Sequence, residues 1–169
     1  MDDFGVQIQT VIPRLRRYAR ALTGDTLLAD DLVQDTLERA LTKRHLWRQG
    51  SDLRAWMFTI MHNVFVNQIR ARAKDATVAL DSEAFEVASH TSPLDMLEVG
   101  DIDAAIRRLS AEQREVLLLI ALEQLSYGET AQALGIPVGT VMSRLHRARE
   151  RVRVMLGGEA AASSLNVVK

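Results

Sequence analysis

The chain has no cysteine, only three prolines and nine glycines, and just 5% aromatic residues in 169 positions. Without cysteine there is neither a disulfide framework nor a thiolate metal site. Scarce aromatics beside abundant Leu, Ala and Arg favour helices over sheets. No apolar run approaches the roughly 20 residues a membrane span needs. The start, Met1-Asp2-Asp3-Phe4, lacks the basic opening of a signal peptide. A cytoplasmic protein without a membrane role is expected. The four histidines, His45, His62, His90 and His146, lie in separate segments and make no metal set without cysteine. There is no Gly-rich phosphate loop, no nucleophile elbow and no acid pair in a plausible cleft, so no enzyme, cofactor or metal is expected. A hydrophobic content of 47% with 25% charged residues belongs to an ordinary soluble globular protein.

A net charge of -1 taken alone argues against nucleic acid, but it averages unlike segments. Residues 1–72 carry 11 basic against 8 acidic side chains, net +3. Residues 73–100 carry one Lys against six acids, net -5, and residues 101–169 carry 9 against 8, net +1. Near the C-terminus Arg144, Arg147, Arg149, Arg151 and Arg153 face only Glu150. Local charge sets the field that a phosphate backbone feels.

Helical periodicity dominates, with no strand alternation or hairpin signal. The spacing predicts helices over about Phe4–Leu22, Thr26–Lys43 and Leu53–Arg72, the last capped by Ser51. From Ala73 to Thr91 the composition turns small, polar and acidic, which reads as a linker. Helical signals resume at Ser92-Pro93, then at the capping box Ser110-Ala111-Glu112-Gln113, whose helix should reach Leu122. A second capping box, Ser126-Tyr127-Gly128-Glu129, opens a short helix to Leu134. The expected architecture is all-α: a helical domain over 1–72, a flexible acidic linker over 73–91, and a second helical domain over 92–157. A tail follows over 158–169.

The second domain ends in a helix-turn-helix. Ala131, Leu134, Ile136, Val141 and Leu145 have the spacing of a steep crossing, which needs small or apolar side chains and a short turn. Gly135 falls where a helix exit calls for positive φ, and Pro137 prevents the first helix from continuing. In the helix from Val138, residues Val141, Leu145, Ala148 and Val152 turn inward. Met142, Ser143, His146 and Arg147 then face outward near its N-terminal end, where a recognition helix touches base edges. Arg147 can offer a bidentate fork to guanine and Ser143 can donate or accept. Thr140 opens this face, while Arg144, Arg149, Arg151 and Arg153 suit phosphates. Any amphipathic helix has a charged outer face; the capped helix and Gly/Pro turn before it point to DNA.

The string Ser126-Tyr127-x-Glu129-x-Ala131-x-x-Leu134, followed by Pro137-x-Gly139-Thr140-Val141-x-Ser143-Arg144-Leu145-x-Arg147-Ala148, resembles the C-terminal DNA-binding domain of extracytoplasmic-function RNA polymerase sigma factors. Leu109-Ser110-x-Glu112-Gln113-Arg114-Glu115-Val116-Leu117 is similar to the same family. In the first half, Ala29-Asp30-Asp31-Leu32-Val33-Gln34-Asp35-Thr36 resembles its polymerase-docking helix, and Arg54-Ala55-Trp56-Met57-Phe58-Thr59-Ile60-x-x-Asn63 its -10 element helix. The resemblance runs from about Val6 to Leu156 outside the linker. The spelling from Ala21 to Leu41 is similar to the general-stress subgroup of alphaproteobacteria.

The resemblance implies roles. Asp31, Gln34, Asp35 and Glu38 would bind core polymerase at the β′ coiled coil, with β a further contact. Acids on a solvated helix face need no partner; the whole string points to one. Thr59, Asn63, Asn67, Arg70 and Arg72 would hold the opened -10 strand, beside a loop from His45 to Ser51 that includes Arg48. A base taken out of the stack needs hydrogen-bonding and stacking groups, and Asn63 and Asn67 can supply the first. Trp47 could stack on a base, although packing is the stronger reading for it and for Trp56. Thr140, Met142, Ser143, Arg144, His146, Arg147 and Arg149 would meet the -35 element. The family often has a basic or polar side chain at Met142 and an aromatic at His146, so this chain departs from it there. An anti-sigma protein is an expected partner beside promoter DNA. Two other readings compete: a sigma-mimicking anti-anti-sigma adaptor, and a transcription activator that uses only the helix-turn-helix.

Overall fold

In a computed structural model, described here for residues 3–79 and 98–157, seven α-helices form without any strand among the described residues. They are α1 (Asp3–Thr23), α2 (Thr26–Thr42), α3 (Leu53–Ala79), α4 (Glu98–Arg107), α5 (Ala111–Leu117), α6 (Tyr127–Leu134) and α7 (Val138–Met155). No helix among the described residues is long and apolar enough to cross a membrane, and no cluster of His, Asp or Glu among them could hold a metal.

Local chemistry explains most boundaries. Asp25 caps α2 by accepting from Leu28 N at 3.0 Å. The start of α3 differs from the sequence reading: Asp52 Oδ1, not Ser51, accepts from Arg54 N at 2.9 Å and Ala55 N at 3.4 Å. Ser51 instead donates its hydroxyl to Arg48 O. The α3 helix also runs to Ala79, seven residues beyond Arg72 and into the segment read as linker. Those residues are exposed through Thr77, so no buried face marks them, but Ala, Arg and Lys are good helix formers. The start expected at Ser92-Pro93 lies outside the described residues.

Both N-caps sit where expected, but only the second forms the full reciprocal box, since Gln113 Oε1 makes no return bond to Ser110. Ser110 accepts from Gln113 N, and Ser126 and Glu129 exchange bonds with each other's backbone N–H. Beyond α5 the chain continues as a π-helical turn, Leu118–Leu122, with Glu123 N donating to Leu118 O at 3.0 Å. Gln124 at φ 57 then ends it. That turn, Glu123 included, is the part of the helix the periodicity does not reveal.

In the N-terminal half α1, α2 and α3 enclose Leu15, Leu22, Leu32, Met57, Phe58 and Met61, all almost fully buried. In the C-terminal half Val116, Leu119, Val141, Leu145 and Val152 play the same part. The two halves do not stand apart. α6 packs on α3, and α4, α5 and the π turn pack on α1, so that a single hydrophobic cluster runs through both.

A polar seam joins them. Arg114 of α5 donates from Nη1 to Leu22 O at the end of α1, at 2.8 Å. Its other bonds go to Ile106 O, Arg107 O and Leu109 O, where α4 ends. In return Arg17 of α1 and Arg54 of α3 donate to Leu122 O (3.3 Å) and Glu123 O (3.2 Å), where the π turn ends. Each half caps carbonyls left open by a helix of the other. His62 Nδ1 lies 2.8 Å from Glu115 Oε1 across the same seam. Gly24, at φ +66 between α1 and α2, leaves the Arg107 side chain 3.4 Å from where a Cβ would stand.

Candidate nucleic-acid interface

The helix-turn-helix is built as its chemistry predicts. Gly135 takes φ 65, and Ile136 N closes the turn on Ala131 O at 3.1 Å. Pro137 stands at the head of α7 with extended backbone. Val141, Leu145, Ala148 and Val152 are buried, which fixes the rotation of α7. Met142, Ser143, His146 and Arg147 are consequently exposed, and Met142 is 52% exposed despite its apolar chain. Thr140 is half-buried. Ser143 donates its hydroxyl to Thr140 O at 3.1 Å, leaving its lone pairs outward.

The arginines of this helix divide. Arg144 is half-buried against α5, its Nη2 3.6 Å from Glu112 Oε2, an acid that the sequence reading did not set against this cluster. Arg153 pairs with Glu150 at 3.0 Å; that hydrogen bond and charge hold the Glu150 carboxyl below its usual range. Arg149 is half-buried, whereas Arg147 and Arg151 are exposed.

In the N-terminal half, a groove between α2 and α3 gathers Asn63, Asn67 and Arg70 with His62 of α3, Arg39 of α2 and Lys43 just past its end. Amides able to pair with hydrogen-bonding edges thus lie beside cations able to pair with phosphates. Arg39 and Lys43 were missed from sequence; their i,i+4 spacing at the end of α2 was the available signal. His45, Arg48, Thr59 and Arg72 are not part of this groove. His45 sits exposed in a single 3-10 turn, Arg44–Leu46, and Arg48 and Arg72 are exposed. Thr59 is half-buried and donates its hydroxyl to Ala55 O. Trp47 packs on Phe4 with ring centroids 5.3 Å apart, and Trp56 meets the same ring edge-on at 6.2 Å. Both belong to the packing.

Asp31, Gln34 and Glu38 are exposed on α2, with Asp35 half-buried beside them. Gln68 of α3 donates to Asp35 Oδ2 at 2.8 Å and approaches Asp31 Oδ2 at 3.5 Å, setting two of the acids in place. An adjoining groove takes in Asp35 and Glu38 together with Arg39, Lys43 and Asn67, so acidic and amide-bearing faces meet along one cleft.

Two family models match. Residues 8–62 match the sigma2 domain of PhyR, and residues 100–152 match sigma-70, region 4. The ECF RNA polymerase sigma factor EcfG of Rhodopseudomonas palustris is 37% identical over 92% of this chain and 86% of its own length. Among solved structures, sigma factor RpoE of Bartonella quintana, bound to the anti-sigma factor NepR, superposes with a TM-score of 0.78. It is 37% identical, and the match covers 92% of this chain and 98% of that one. The anti-anti-sigma factor PhyR of Bartonella quintana shares the fold, at a TM-score of 0.58 and 19% identity, over 86% of this chain and 48% of its own.

Proposed function

The chain belongs to the extracytoplasmic-function RNA polymerase sigma factors, and we propose that it meets promoter and polymerase through the faces described above. It directs core polymerase to specific promoters. Arg147, Ser143, Met142 and His146, with Thr140 at the margin, read the -35 element from the major groove, while Arg144 and Arg149 steady the backbone. The α2–α3 groove holds the opened -10 strand, Asn63 and Asn67 meeting bases and Arg70, Arg39 and Lys43 meeting phosphates. Asp31, Gln34, Asp35 and Glu38 dock on the polymerase, where an acidic face suits a basic partner and would repel DNA. The segment after α3 joins the two DNA-binding domains. An anti-sigma protein of the kind seen on the Bartonella relative is a further partner, and the work is done in the cytoplasm.

The observation that carries this reading is the outward set on α7, held in register by four buried residues on its other side. The adaptor reading draws support from the match to the sigma2 domain of PhyR. However, PhyR itself is 19% identical, against 37% for the sigma factors, and a mimic has no use for Arg147 and Arg151 presented to solvent. Run-off transcription with core polymerase decides between them: specific transcripts are expected, and none from any promoter of its own genome would sink the sigma reading. Asp35→Arg, with Glu38→Arg as a fully exposed control on the same face, is expected to abolish polymerase binding while the helical circular dichroism is unchanged. Unaltered binding would return this face to simple solvation.

A further inference from the structure

The buried acid at the centre of the seam is Glu123. Its side chain is fully buried, and Oε1 accepts from Arg17 Nη2 at 3.0 Å and Nε at 3.3 Å. The other oxygen, Oε2, is enclosed without a hydrogen bond and has only Arg14 Nη1, 4.0 Å away. Arg54 Nη1 adds 3.2 Å to the Glu123 carbonyl, and Arg17 Nη2 3.3 Å to that of Leu122. Three guanidinium groups of the N-terminal half therefore converge on one carboxylate and two carbonyls of the other half. Most of the cations stay in reach of solvent: the side chains of Arg14 and Arg17 are 46% and 54% exposed. They belong to a helix with four arginines, Arg14, Arg16, Arg17 and Arg20, and no acid between Phe4 and Gly24. Neither the -10 groove, the docking face nor the helix-turn-helix uses any of these residues.

We propose that Arg14, Arg17 and Arg54 form a binding site for the phosphate backbone of DNA, which Glu123 occupies when the two halves are closed on each other. An array of oxygen acceptors facing guanidinium forks is what a phosphodiester also presents. Glu123 is a poor permanent occupant. A carboxylate taken wholly out of water needs all its lone pairs satisfied, and Oε2 is not. A phosphate bound at the open surface keeps its remaining oxygens hydrated and meets Arg16 and Arg20 along the same helix. Parting of the halves thus exchanges an internal anion for an external one, and DNA and closure compete for the same cations. The site rests on the chain's work at DNA but assigns it to residues outside both promoter-reading faces.

The full chain, without native cysteine, accepts spin labels at the exposed positions Gln9→Cys and Gln132→Cys, whose separation reports opening. A short mixed-sequence duplex without promoter elements serves as ligand. Glu123→Gln keeps shape and removes charge, leaving Arg14 and Arg17 without their anion, while Arg54 keeps the Glu123 carbonyl and Asp52, 3.5 Å away. It should lengthen the label distance and tighten duplex binding about three- to tenfold at low salt. Arg14→Ala/Arg17→Ala/Arg54→Ala should open the chain as well, yet bind the duplex more weakly. The slope of log affinity against log salt should fall by about 2–3, since each phosphate contact contributes about 0.9. Circular dichroism certifies the fold of each variant. Equal or tighter binding by the triple variant, or an unchanged slope, overturns the site; so does a Glu123→Gln chain that stays closed. Run-off transcription by the parent chain is read separately, so failure here leaves the promoter assignment standing.

Discussion

Removing the fork of Arg114 should weaken the whole molecule. In Arg114→Met the aliphatic stem remains and the guanidinium goes. Four bonds are lost, to Ile106 O at 3.1 Å, Arg107 O at 2.6 Å, Leu109 O at 2.9 Å and Leu22 O at 2.8 Å. A hydrogen bond to a charged group contributes about 1.5–3 kcal/mol net. The four share one cation, and the bonds reaching Arg107 O and its neighbours lie near solvent, so simple addition overshoots. Burial, and then the charge of Arg107, already lowers the Arg114 pKa from its ordinary value, so the cation is held at some desolvation cost. About 2–4 kcal/mol is the expected loss. With a urea m-value of about 2 kcal/mol/M, the unfolding midpoint followed by circular dichroism should fall by about 1–2 M. Arg114→Lys, with one ammonium able to reach only part of the carbonyl set, should fall between the two. A loss below about 0.5 kcal/mol for Arg114→Met would mean that water caps these helix ends equally well, and the capping account of the seam would fail.

Other expectations follow from single features. Gly135→Val places a β-branched residue at φ 65, where nothing stands within 4 Å of the new Cβ; the cost, about 1–3 kcal/mol, is purely backbone strain, and Gly135→Asn should recover part of it in thermal melts. Arg147→Ala should cost about 1–3 kcal/mol of -35 affinity and relax preference at one base pair in a binding-site selection; uniform weakening on every sequence would make Arg147 a phosphate contact instead. Tyr18 is buried, and that burial, then Glu115 and Glu123, raises its hydroxyl pKa well above 10.0. Its neutral form is favoured in the fold, so its contribution is fully present below pH 10.0 and drains away as the pH climbs from there towards the folded-state pKa. Wild type should therefore lose stability above pH 10 by up to about 1.4 kcal/mol per pH unit more steeply than Tyr18→Phe, and parallel curves would contradict this.

Much of this was legible in the sequence where the cause is local. The N-cap at Ser110, the capping box at Ser126, the left-handed exit at Gly135 and the inward stripe of α7 each depend on residues a turn apart, and each appears where its spelling puts it. Ser51 lost its expected role to the adjacent Asp52 because two good capping residues stood side by side. The end of α3 was misjudged because periodicity reports a buried face, and an exposed extension has none. Arg17 and Glu123 are 106 positions apart, and nothing in either neighbourhood distinguishes them from solvated surface charges. The same holds for Arg39 and Lys43, whose company with Asn63 depends on how α2 lies against α3. Long-range pairing of polar groups has no period to read.

Mutual capping across the seam also bears on temperature. When the halves part, Leu22 O, Leu122 O and Glu123 O lose their donors together, and the apolar faces of α1 and α3 that pack on the other half lose that cover. Separation therefore has the character of a subglobal unfolding event, in which last turns fray while the helices persist. Such an event is endothermic, and its population climbs with warming long before either half melts. Amide exchange at Gly24 and Leu125, close to those carbonyls, would then quicken with heat ahead of exchange in the middle of α3, and a chain that serves transcription would carry its own thermometer in two helix ends.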